Sequence, residues 1–306
     1  MKKMSLELQS LTMDDGVAIG YVDVGAGRPL VYVNGFGEDV SRSNLLIERW
    51  SESFRCITFD HRGYGSSELA PDLGVERSAR DLKALLEKLD LSDVALVGYS
   101  MGGSVAFSYI EQFGLEHLGR LVLADTAPKL INEDDWNLGL WQGKYTREDF
   151  NRDLETLMND PTLFHLAFYS RAATKTSCNE YSNVFPDHGD IGGWFDYLSE
   201  LTSIRRPYLE KIFQFNFSEE KKECERRYWD TSTGGDWRHV LKSIGVPTLC
   251  LYADPGSFYN SATAEVMVSQ IPNASAVAIK DACHTFPKDN LEAFSSLITE
   301  FCSQDN

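Results

Sequence analysis

The chain has 306 residues, 42% of them hydrophobic and 25% charged. These are the proportions of a folded globular protein, not of a disordered, collagen-like or coiled-coil chain. Lys plus Arg number 29 and Asp plus Glu 46, for a net charge of −17, and a surface this acidic repels phosphate backbones and anionic lipid, which argues against a nucleic-acid partner.

In chain order, the alternation Leu6-Glu7-Leu8-Gln9-Ser10-Leu11 predicts a strand, Asp14-Asp15-Gly16 a turn, and residues 17–24 the second arm of a hairpin. Leu30-Val31-Tyr32-Val33 and Arg55-Cys56-Ile57-Thr58-Phe59 are short apolar runs, as in strands buried on both faces. Residues 75–89 place Leu82, Leu85, Leu86 and Leu89 at helical spacing. Val94-Ala95-Leu96-Val97 predicts a strand, residues 102–113 a helix, and Leu121-Val122-Leu123-Ala124 a strand. This alternation argues a mostly parallel sheet flanked by helices. From Pro128 to about Trp237 no strand run is found, and aromatic residues are dense; this reads as a helical insertion. The rhythm resumes with a strand over residues 246–252, a helix over 263–271, a strand over 276–279 and a helix over 291–301.

No run of 18 apolar residues exists to span a membrane, and no apolar stretch follows Lys2-Lys3, so neither a membrane partner nor a signal peptide is expected. The six cysteines, at positions 56, 178, 224, 250, 283 and 302, show no CxxC or zinc spacing, and the expectation is free thiols in a reducing cytoplasm.

Gly98-Tyr99-Ser100-Met101-Gly102 is a G-x-S-x-G between an expected strand and an expected helix. Such a tight turn needs small residues beside the serine, exposes the hydroxyl and sets it at a helix N-terminus; Ser100 is the candidate nucleophile. Of the six histidines, His284 stands just past the last strand, on the carboxyl edge of the sheet that also carries Ser100, and is the candidate base. His61 reads as part of a loop-shaping segment.

Together, Asn34-Gly35-Phe36-Gly37, Asp60-His61-Arg62-Gly63-Tyr64-Gly65-Ser66, Gly98-Tyr99-Ser100-Met101-Gly102-Gly103, Leu121-Val122-Leu123-Ala124-Asp125 and Cys283-His284 resemble the α/β-hydrolase superfamily with a helical cap. The resemblance covers residues 17–127 and 245–303. It implies an α/β-hydrolase core at 1–127 and 238–306 and a cap at 128–237. It also implies an oxyanion hole from the backbone N–H groups of Phe36 and Met101, although Asn34 replaces the family's usual histidine. The family's usual acid position, after the strand ending at Tyr252, holds Gly256. The acid is therefore expected at Asp125, which follows the preceding core strand, with Asp254 as the alternative.

A small carboxylic ester or lactone, apolar in character, is the expected substrate, with Trp136 and Trp141 as expected pocket walls. Cleavage of a C–C or amide bond by the same residues, and a weakly catalytic ligand-binding receptor, are the alternatives; halide peroxidation would be a side activity. No phosphate loop, nicotinamide or flavin signature appears, so no cofactor is expected. Asp187-His188-Gly189-Asp190-Ile191-Gly192-Gly193 reads as a mobile gating loop, with a metal site at Asp187, His188 and Asp190 disfavoured for want of a second ligand cluster.

Overall fold

The short apolar runs form strands, and eight of them make one sheet. A computed structural model describes residues 6–175, 191–212, 217–256 and 258–304. The strands are β1 (Gln9–Thr12), β2 (Ala18–Gly25), β3 (Pro29–Val33), β4 (Arg55–Phe59), β5 (Val94–Tyr99), β6 (Leu118–Ala124), β7 (Thr248–Pro255) and β8 (Ala274–Ala282). Their order across the sheet is β1-β2-β4-β3-β5-β6-β7-β8. The β1/β2 and β2/β4 pairs are antiparallel and every later pair is parallel.

Helices α1 (Asn44–Trp50), α2 (Val75–Lys88) and α3 (Met101–Phe113) connect the first strands. Among the described residues six α-helices lie between β6 and β7: α4 (Leu140–Gly143), α5 (Arg147–Asn159), α6 (Pro161–Ala172), α7 (Ile191–Thr202), α8 (Arg206–Ile212) and α9 (Glu219–Gly234). Then come α10 (Ser261–Gln270), α11 (Phe286–Asp289) and α12 (Leu291–Cys302). Among the described residues the stretch after Pro128 is therefore largely helical, with local signals to match. A reciprocal Thr146–Asp149 capping box opens α5, and Asp160 caps α6 ahead of Pro161.

The central strands are covered on both faces, and the pleat sorts their side chains between two cores. Val31, Val33, Leu96, Leu121 and Leu123 point into one, with Leu82 and Leu85 of α2 and Val105 of α3. Leu30, Tyr32, Val97, Val122 and Ala124 point into the other, with Trp50 of α1 and Phe294 and Ile298 of α12. Each such aliphatic side chain contributes about 1.5–3 kcal/mol of burial.

The amino-terminal hairpin turn is tied to α2 by ions. Arg62 is fully buried and forks between Asp81 (Nε to Oδ2, 2.7 Å) and Asp15 (Nη1 to Oδ2, 2.5 Å), while Arg77 binds Asp81 and Asp14. The hydrogen bond from Arg62 pulls the Asp15 carboxyl down to about 2. Helix α1 was not anticipated from the sequence, and β8 outruns its expected span at both ends. Among the described residues no helix is long and apolar enough to cross a membrane.

Candidate active site

Strand β5 ends at Tyr99, and the chain turns at once into α3. Ser100 stands in this turn at φ 53°, ψ −120°, a conformation that costs an L-residue about 1–3 kcal/mol. It is pinned there by its N–H, which donates to the Ala124 carbonyl (2.9 Å), and by its own carbonyl, which accepts from Gly103 N (2.8 Å). The flanking glycines are sterically required. A Cβ on Gly98 would sit 2.6 Å from the Gly102 carbonyl oxygen, and one on Gly102 would sit 2.1 Å from that of Val33.

His284 lies two residues past β8. Its Nε2 is 2.9 Å from Ser100 Oγ and its Nδ1 is 2.6 Å from Asp125 Oδ2. Asp125 follows β6 directly, at φ 45°, with its N–H on the Leu251 carbonyl (2.8 Å). Adjacent strands thus present Ser100 and Asp125 side by side, and β8 delivers His284 from two strands away. The imidazole lies between two rings. Tyr99 stacks at 5.2 Å and donates its hydroxyl to the His284 carbonyl (2.8 Å), and Phe258 stacks at 3.9 Å.

Asp254 stands apart from this arrangement. Strand β7 runs on to Pro255, so Asp254 lies within the strand, in register with Lys280, and forms an ion pair with its ammonium. Its side chain is 40% exposed. The chain beyond β7 brings the Phe258 ring, not a carboxylate, against His284.

The loop after β3 closes the other side. Gly35 packs so tightly on the serine that an added Cβ would lie 3.2 Å from Ser100 Cβ. Asn34 is buried, donating Nδ2 to Thr58 Oγ1 (3.2 Å) and accepting at its carbonyl from His61 Nε2 (3.4 Å). His61 is in turn 3.1 Å from Ser78 Oγ through Nδ1, and burial depresses its basicity. Its place is behind the loop, not at Ser100. Phe36 follows Gly35 in this loop, and Met101 follows Ser100; Met101 N, in the first turn of α3, has no acceptor within the helix. Glu38, not singled out from the sequence, accepts from Gly35 N (3.2 Å).

Aromatic side chains of α6 and α9 pack against the loop after β3. Phe36 is ringed by Phe164, His165, Phe168 and Trp229 at 5.2–6.0 Å. Trp141 meets Phe258 edge-on at 4.5 Å, one ring removed from His284, with the Arg171 guanidinium over its face at 4.9 Å. Trp136 is placed differently. Its Nε1 donates to the Lys129 carbonyl (2.8 Å) and Arg238 covers its ring, so it packs at the base of the insertion and has no ring contact with Phe36, Phe258 or His284 among the described residues. Leu166, Trp194, Phe195, Leu198 and Leu209 form a small core of the insertion itself. A cavity of about 170 Å³ lies on the insertion's side of Trp141 and Phe168, bounded also by Asp153 and Arg171. Of the segment 187–193 expected to be a gating loop, residues 187–190, with the disfavoured metal site, lie outside the described residues, and residues 191–193 are not loop but the first turn of α7.

Comparison with known proteins agrees with this architecture. The model of a family described as alpha/beta hydrolase fold matches residues 28–291. A Synechocystis sp. protein named provisionally as a non-heme chloroperoxidase is 32% identical, over 93% of this chain and 95% of its own. The solved structure of the esterase EaEST from Exiguobacterium antarcticum superposes with a TM-score of 0.75 at 21% identity, covering 97% of this chain and 99% of that one. The enol-lactonase from Burkholderia xenovorans LB400 gives 0.70 at 18%, covering 97% and 100%.

Proposed function

The chain belongs to the α/β hydrolase fold family, and from that premise we propose that it is a serine hydrolase of small, apolar carboxylic esters or lactones. The observation that carries the reading is the unbroken run of contacts from Ser100 Oγ through His284 to Asp125, at 2.9 and 2.6 Å.

In this reading Ser100 Oγ attacks the acyl carbonyl while His284 Nε2 takes its proton. Asp125 holds Nδ1–H, which leaves Nε2 free to accept, and stabilises the imidazolium that forms. The N–H groups of Phe36 and Met101 bind the tetrahedral oxyanion; such donors depend on backbone position, so Asn34 in place of histidine does not remove them. His284 then protonates the leaving alkoxide, and a water activated by the same imidazole releases the acid and restores Ser100. Residues 128–237 serve as a cap. The rings of Phe164, Phe168, Trp229 and Trp141 support an apolar acyl or alcohol group. The solved esterase and enol-lactonase that share the fold are consistent with either bond.

The test is turnover of a p-nitrophenyl ester series from acetate to decanoate, and of a lactone series, by wild type and Ser100→Ala. Hydrolysis lost in the folded variant, with fluorophosphonate labelling of wild type alone, is expected. Activity within tenfold of wild type in Ser100→Ala would refute the nucleophile. The name of the Synechocystis relative favours one second reading: an acyl-enzyme that meets hydrogen peroxide in place of water releases a peracid, which oxidises halide. Bromination that requires peroxide and a carboxylic acid, and disappears in Ser100→Ala, would support it.

A further inference from the structure

We propose that Glu38 sets the charge preference of the Ser100 site: its carboxylate is a fixed negative charge that disfavours substrates carrying an anionic group near the scissile bond and favours neutral or cationic ones. This rests on the reading of Ser100 as nucleophile and names the substrate class within it.

The placement follows from the loop after β3. Glu38 N donates to the Gly35 carbonyl (3.4 Å), and Gly35 N donates to Glu38 Oε2 (3.2 Å). The carboxylate is thereby folded back onto the residue that packs against Ser100, and the side chain is half-buried. Helix α6 covers this turn, with Tyr169 Oη 3.4 Å from where a Gly37 side chain would begin. The charge of Glu38 is felt by His284, and by Tyr99, Tyr32 and Tyr169. Burial raises the Glu38 carboxyl above its ordinary range, while the Gly35 N–H and the His284 and Arg42 charges pull it back and Asp39 adds to the rise.

The other charges near Glu38 do not cancel it. Arg42 is exposed on the same turn, and Asp39 adds a second negative charge that is committed to Ser41 N (2.9 Å). Asp125 is already held by His284. A substrate carboxylate placed beside the acyl carbonyl therefore meets Glu38, whose charge Arg42 offsets only in part from its exposed position. At a separation of about 6 Å and an effective dielectric of about 40, the repulsion is worth roughly a tenfold loss of affinity. The aromatic groups that ring Phe36 offer an anion no compensation, whereas an ammonium group would gain from the same rings.

Arylboronic acids test this without requiring turnover. The boron accepts the Ser100 oxygen, the serine proton passes to His284, and a tetrahedral boronate forms in the site. Dissociation constants for phenylboronic acid and its para-carboxy and para-aminomethyl derivatives are measured by calorimetry on wild type, Glu38→Gln, Glu38→Ala and Glu38→Asp. The readout is the affinity ratio of the carboxy to the parent compound, each variant against wild type, which removes differences in boron acidity. Glu38→Gln keeps an oxygen for Gly35 N and removes only the charge. The ratio is expected to rise about tenfold in Gln and Ala, to stay near wild type in Asp, and the aminomethyl ratio to fall in Gln. Should Glu38→Gln not fold, Glu38→Ala gives the same reading. An unchanged ratio in the neutral variants overturns the inference alone. Boronates that do not bind wild type, or that bind Ser100→Ala equally well, overturn it together with the nucleophile assignment.

Discussion

Asp125→Asn separates the two candidate acids most sharply. The Asp125 carboxylate is 1% exposed and lies 2.6 Å from His284 Nδ1. When His284 becomes an imidazolium, the two charge centres stand about 4 Å apart, and at an effective dielectric of about 20 their attraction is about 4 kcal/mol. Losing it in the transition state is worth about three decades in rate. An amide also allows an N–H to face Nδ1, which would move the ring proton to Nε2 and block the step at Ser100. The expected kcat for a neutral ester is therefore lower by at least about 10³-fold. Asp254→Asn removes a side chain that is 40% exposed and paired with a 78% exposed Lys280; such pairs contribute about 0–1 kcal/mol. Its kcat should stay within about threefold of wild type. The assay is steady-state ester hydrolysis on all three proteins, with thermal midpoints to establish folding. A folded Asp125→Asn that keeps a tenth of wild-type kcat, or an Asp254→Asn that loses more, would refute the reasoning.

Three further outcomes are expected. Burial pushes the Asp153 carboxyl from 3.8 up to about 6, against the hydrogen bond from Tyr145. The native state thus holds that proton more tightly than the unfolded chain, so stability is lost as pH rises through this interval, up to about 3 kcal/mol above it. Asp153→Asn should therefore raise the thermal midpoint at about pH 7.5 and not at about pH 3.5, and an equal gain at both would count against a buried charge. Gly102→Ala places a Cβ 2.1 Å from the Val33 carbonyl oxygen; soluble yield or thermal midpoint should fall sharply, and a variant as stable as wild type would contradict the packing of the serine turn. Arg62→Lys cannot fork between Asp15 and Asp81, and urea unfolding should show a loss of about 3 kcal/mol, which a loss below about 1 kcal/mol would refute.

The sheet was legible because its strands are buried on both faces, and burial of that kind demands an uninterrupted apolar run of four or five residues between turn signals. Gly98 and Gly102 were legible because the turn leaves no room for a side chain. β8 was read too short because it is an edge strand: Ser275, Lys280 and Asp281 face solvent and interrupt the apolar signal. α1 escaped notice because it is two turns long and follows a polar loop. Trp136 shows the limit of reasoning from distance along the chain. An isolated bridge joins Lys129 to Asp236, closing the base of the insertion, and Trp136 folds back onto that base instead of reaching Ser100. Phe258 and Glu38 carried no recognisable spacing. One follows the end of β7 and the other is one acid among 46; only their positions beside His284 and Gly35 distinguish them.

The distribution of the three residues over the sheet also has a consequence for partial unfolding. Ser100 and Asp125 bracket α3 and β6 at the ends of two adjacent strands in the middle of the sheet, whereas His284 hangs from the edge strand β8, which pairs with β7. The last helix is latched to the core through the main chain: Arg28 donates to the carbonyls of Cys302 (2.9 Å) and Gln304 (3.1 Å), and Arg120 to that of Gln304 (2.8 Å). Detachment of β8 and α12 as a cooperative segment would break these bonds, the β7–β8 ladder, the Trp50 Nε1 bond to the Ser295 carbonyl and the α12 side of the second core, while the other strands hold. The imidazole would leave with them, and the serine and aspartate would remain in register. Amide exchange should then find the carboxyl-terminal segment opening at lower free energy than β5 and β6, and dilute urea should silence the molecule reversibly before the bulk of its secondary structure melts.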